Sequence, residues 1–149
     1  MPSLYDDRAR AEITGRLERL TPQNVQRWGK MQPAQLLPHL GDSFRRALGD
    51  TPTEPPRSGI ARFAPVRYLY IHHIKWPEGK IQSPAGSFRT PSTGWDGDRK
   101  IVLGLIARFA ATSREKLSPY HPTLGRMTPR DWGVLMYKHL DHHLRQFSA

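Results

Sequence analysis

The chain has 149 residues, 37% of them apolar, which is enough for one compact domain over residues 1–149 that buries its core without covalent staples. It has no cysteine, which excludes disulfides, thiolate metal sites and a thiol nucleophile of its own. Lys and Arg outnumber Asp and Glu 23 to 13, for a formal charge of +10, but no basic run exceeds pairs such as Arg45-Arg46 and Arg99-Lys100, so the dispersed charge argues against nucleic-acid binding.

The segment Met1 to Asp7 lacks a basic stretch followed by an apolar run, and no apolar stretch approaches the roughly 18 residues of a membrane span. The expectation is a cytoplasmic protein with no membrane partner. A first helix is expected from about Asp6 to Leu20, where Ala9, Ile13, Leu17 and Leu20 form one stripe. Thr21-Pro22 then opens a short turn that ends near Trp28-Gly29.

A second helix runs from Pro33 through Leu36, Leu37, Leu40, Phe44, Ala47 and Leu48 to Gly49. It carries His39, directly after Pro38, whose missing donor and ring clash predict a kink that shifts where His39 points. After a proline-rich loop, Gly59 to His73 reads as a third helix on Ile60, Phe63, Val66, Leu69 and Tyr70, bent near Pro65.

Ile74 to Gly97 is dense in Pro, Gly, Ser and Thr and reads as a long loop. Asp96 or Asp98 then caps a fourth helix with Ile101, Val102, Leu105, Ile106 and Phe109 inward and Arg99, Lys100 and Arg108 outward, ending near Thr112. A linker with a turn at His121-Pro122 leads to Thr128-Pro129-Arg130-Asp131, a cap residue, a first-turn proline and an acid, which starts a last helix reaching about Phe147. Strand-like alternation is rare, so the fold class is all-α.

Chemistry concentrates in Lys138-His139-Leu140-Asp141-His142-His143-Leu144. Residues at i and i+4 stack on one helix face, so His139 and His143 can converge on one ion. At about 100° per residue, the centre of the apolar side of this helix lies roughly 60° from His139, and His143 falls at about 40° on the same scale, near that middle, while His142 falls about 120° away from the centre and Asp141 faces outward. His39 falls about 100° from the apolar centre of its own helix, at its margin. Three neutral nitrogens leave coordination positions open for chemistry; the competing reading is a set of hydrogen-bonded core histidines. His72 and His73 read as helix surface or helix end.

Together, Trp28-Gly29-Lys30-Met31-Gln32-Pro33-Ala34-Gln35-Leu36-Leu37-Pro38-His39-Leu40 and Tyr137-Lys138-His139-Leu140-Asp141-His142-His143-Leu144-Arg145-Gln146-Phe147 resemble the DinB superfamily, and His121 to Thr128 points to a separate branch within it. The resemblance implies a four-helix bundle with long connections, often a homodimer. It also implies a divalent-metal site, zinc or nickel, whose ligands match His39, His139 and His143. An implied activity is thiol-dependent transfer or isomerisation, or hydrolysis, on a small-molecule substrate, with a low-molecular-weight thiol as co-reactant and Arg residues holding an acidic group. Two other functions stand beside it, a non-catalytic helical binding or stress-related module with structural histidines, and a weak nucleic-acid binder.

Overall fold

Capping chemistry and apolar spacing set where α1, Asp7–Arg19, and the last helix, Pro129–Gln146, begin and which face they bury. The computed structural model describes residues 1–80 and 89–149. Helix α1 spans Asp7–Arg19, with Asp6 accepting the Ala9 N–H at its start and Ile13 and Leu17 buried. Helix α2 spans Pro33–Ala47 and continues through Pro38. Pro38 lies only five residues into it, so its missing donor costs a single bond near the N-terminal end, and the kink that would misdirect His39 is not what decides its position.

The expected third helix is two pieces. A single 3-10 turn over Ile60–Arg62 precedes α3, Ala64–His72, which has Pro65 in its first turn. Proline is favoured there because the donors of a first turn have no intrahelical partner, so Pro65 starts this helix and does not bend it. Its apolar residues also do not form a buried stripe: Ile71 is buried, but Ile60, Phe63 and Leu69 are exposed.

Residues 81–88 of the long loop read between Ile74 and Gly97 lie outside the described residues. Helix α4, Trp95–Ala111, begins after Gly94, not at an aspartate cap. Asp98 serves the helix start from inside the first turns, accepting the Thr93 N–H and the Ser92 and Thr93 hydroxyls. Val102, Leu105, Ile106 and Phe109 point inward as expected, whereas Ile101 is exposed.

The linker after α4 holds a small antiparallel hairpin, β1 Tyr120–His121 and β2 Gly125–Arg126, that alternation alone did not reveal because each strand is two residues long. Helix α5, Pro129–Gln146, starts at the expected reciprocal cap, with Thr128 Oγ1 accepting from Asp131 N and Asp131 Oδ2 accepting from Thr128 N.

Helices α1, α2, α4 and α5 close a bundle in which α2 packs on α4 and α5, and α1 packs on α5 and α4. Its core holds Phe44 against Phe109 edge to face at 5.8 Å and Trp132, Leu140 and Leu144 of α5. Helix α3 lies outside this ring against α5. The fold is all-α, as expected, with α2 and α5 adjacent along the faces that carry the histidines.

Candidate metal centre

His39 sits mid-way along α2, and His139 and His143 occupy successive turns of α5. Contact between these two helices brings the three rings together. Nε2 of His139 lies 3.0 Å from Nε2 of His39 and 3.1 Å from Nε2 of His143. Nitrogens bound tetrahedrally at a zinc–nitrogen distance of about 2.0 to 2.1 Å stand about 3.3 Å apart, close to this spacing. One ligand atom from each of the three residues lies within 4.8 Å of the others.

The proton positions follow from the neighbours. Gln146 Nε2 donates to the Trp28 carbonyl at 2.8 Å, which leaves Gln146 Oε1 facing His143 Nδ1, also at 2.8 Å. An amide oxygen only accepts, so Nδ1 carries the hydrogen and the Nε2 of a neutral His143 presents a lone pair to the cluster. Burial foremost, then the field of His39, pulls the His143 pKa down to about 3 despite the opposing Gln146 bond. Burial, followed by the fields of His143 and His39, holds His139 well below the ordinary imidazole value. Both rings are therefore neutral at pH 7, the form that ligates a metal.

A family model described as the DinB superfamily matches residues 5–147. The chain belongs to the DinB superfamily. No curated protein and no solved structure matches it. The two segments that carried the resemblance are thus the two halves of one histidine cluster in a DinB-superfamily chain.

Gln146 was not singled out from the sequence, although an amide three residues after a ring can reach its Nδ1 on a helix. His142 differs from the helical-angle expectation. It is buried, 5% exposed, because Trp28 and Trp76 from the connections cover the flank of α5 outside the bundle face. Its Nδ1 finds no partner among the described residues, and it stands beside the three rings without joining them.

His72 is likewise no surface residue. Its side chain is enclosed and its Nε2 lies 2.8 Å from Asp131 Oδ1, so the acid that caps α5 also anchors α3. Burial works against the Asp131 carboxylate, but the bonds from His72 and Thr128 prevail and lower its pKa. His73 ends α3 and is exposed, as read.

Proposed function

We propose that His39, His139 and His143 hold a divalent metal, zinc or nickel, and that the chain is a metal-dependent enzyme acting on a small molecule by thiol-dependent transfer or isomerisation, or by hydrolysis. The observation that carries this reading is the convergence of three Nε2 atoms, at 3.0 and 3.1 Å, around one point. A single hydrogen on His139 Nε2 can satisfy one neighbour at a time, so three lone-pair-bearing rings at this spacing suit a cation better than they suit one another.

When bound, a three-nitrogen metal supplies an open position that stabilises a thiolate or hydroxide and so generates a nucleophile at neutral pH. With no cysteine in the chain, a thiol must arrive as a low-molecular-weight co-reactant. The protein's own part is to hold the rings and limit water. Gln146 fixes His143, Trp76 meets His139 edge-on at 6.3 Å, and burial keeps His39 and His143 dry while His139 stays partly exposed, on the side from which a ligand approaches. We place the site in the homodimer that superfamily membership suggests. No helix among the described residues is long and apolar enough to cross a membrane.

Metal analysis of protein purified from cells supplied with zinc and nickel tests the reading. The expected result is close to one equivalent per chain, lost in the double variant His139→Ala, His143→Ala. Metal-free wild-type protein, or full occupancy in the double variant, sinks it.

A further inference from the structure

Helix α3 is built mainly of apolar and aromatic residues, yet it buries only Ile71. Pro65, Tyr68 and Leu69 follow at i, i+3 and i+4, so they share one side of the helix, and that side is exposed. Ile74 joins them, because its N–H returns to the Leu69 carbonyl at 2.8 Å and folds the chain back beside that residue. Ile60 and Phe63 precede the helix. Five of the eight large apolar side chains exposed among the described residues, Ile60, Phe63, Tyr68, Leu69 and Ile74, therefore fall within one short stretch, which is a patch and not a scatter.

The charges of the same stretch are of one sign. From Arg57 to Pro77 the chain carries Arg57, Arg62, Arg67 and Lys75 and no acid. Arg62 bonds the Arg57 carbonyl at 3.4 Å, and Arg67 bonds those of Arg62 and Leu124 at 3.1 and 3.5 Å, which leaves their charge in place. Among the described residues none of the four pairs with a carboxylate, unlike Arg16 with Asp141 or Arg145 with Glu78. Asp131, which α3 meets through His72, is enclosed and already engaged by that ring. The Arg62 guanidinium lies 4.9 Å from the centre of the Phe63 ring, so cation and apolar group stand side by side.

An occupant of this face must be both negative and apolar. A second copy does not answer it, since a two-fold axis through the face sets the four cations against their own counterparts. A protein groove must match the shape of a helix that lies outside the bundle ring. An anionic lipid surface supplies phosphate and carboxylate headgroups for the cations and acyl chains for Phe63, Leu69 and Ile74, with no preformed shape. A helix lying in that interface needs no spanning length, so the lack of a spanning helix among the described residues does not bear on it.

We infer that the α3 face docks the protein on an anionic lipid surface, with Phe63, Leu69 and Ile74 entering the acyl boundary and Arg57, Arg62 and Lys75 meeting the headgroups. The histidine cluster takes no part in this contact, so the docking surface and the metal reading stand or fall separately.

Cosedimentation of the full chain with vesicles of phosphatidylcholine alone, and of phosphatidylcholine with about 30% phosphatidylserine, tests the surface. Binding is expected to the serine-lipid vesicles only, weakening as salt rises. A chain of charge +10 can adhere to anionic vesicles by charge alone, so the deciding variants are Phe63→Ser and Leu69→Ser, which keep the charge. Each should lower the partition coefficient roughly tenfold while melting like the wild type. Val25→Ser, equally exposed but outside the patch, should leave it unchanged. Wild-type binding in both Phe63→Ser and Leu69→Ser overturns the docking surface. Absence of binding to serine-lipid vesicles at low salt overturns it too, and leaves the face to an acidic protein. A dimer in sedimentation velocity that Leu69→Ser dissociates overturns it as well, assigning the face to a second copy.

Discussion

At the scale of single residues, the site depends on groups that set proton positions as much as on the rings themselves. Gln146 holds the His143 hydrogen on Nδ1 and is itself tied to the Trp28 carbonyl. Gln146→Leu removes that bond with little change in volume, and zinc affinity measured by competition with a chromogenic chelator should fall about 10- to 100-fold. Unchanged affinity would show that His143 needs no orienting partner.

Buried neutral imidazoles also predict how the metal-free protein responds to acid. His121 and His143 bind protons near 6.5 when unfolded but only near pH 3 in the fold. Between those values the unfolded chain holds more protons, so stability falls as pH drops from about 6.5 toward 3. The melting temperature of chelator-treated protein should decline steadily across that window, and a flat profile would contradict the burial of these rings. Of these residues, the convergence of His39, His139 and His143 could be read in advance from i, i+4 spacing and family resemblance. The pairing of His72 with Asp131 could not, because it joins residues 59 positions apart and depends on where α3 docks.

Among the elements, legibility followed the strength of local signals. Helix α5 was readable because Thr128-Pro129-Arg130-Asp131 combines a cap hydroxyl, a first-turn proline and a reciprocal acid. The presence of helix α3 was readable too, but its start and buried face were not, since its apolar residues are partly exposed and its C-terminal end is secured from elsewhere in the chain. Lys138, 6% exposed, sends Nζ to the carbonyls of Tyr70, Ile71 and Ile74, filling the acceptors that a helix end leaves open.

That enclosure lowers the Lys138 pKa to about 8. The charged group therefore acts as a cap supplied by one helix to another, a role no periodicity encodes. Lys138→Met should destabilise the fold by about 2 kcal/mol in urea unfolding, since charge-assisted bonds are lost and carbonyls are left unmatched. A change within about 0.5 kcal/mol would mean that water replaces the ammonium without cost.

For the whole molecule, the fold class was within reach of the sequence because four amphipathic stripes of similar length have few ways to hide except against one another. The positive charge reads differently once the helices are assembled. Part of it is held in pairs between segments, as in Arg16 with Asp141, Arg108 with Asp50 and Arg145 with Glu78, which fits dispersed surface charge better than a nucleic-acid face.

Assembly also explains the site. The α2–α5 seam gathers donors from residues a hundred positions apart, and a metal held there would join the two helices and stabilise the bundle as a whole. X-ray absorption at the zinc edge of the zinc-loaded protein tests this most directly. The account predicts imidazole scattering from three nitrogen ligands at about 2.0 to 2.1 Å, falling to two in His39→Ala. A spectrum of oxygen ligands without imidazole, or one unaltered by His39→Ala, would contradict it.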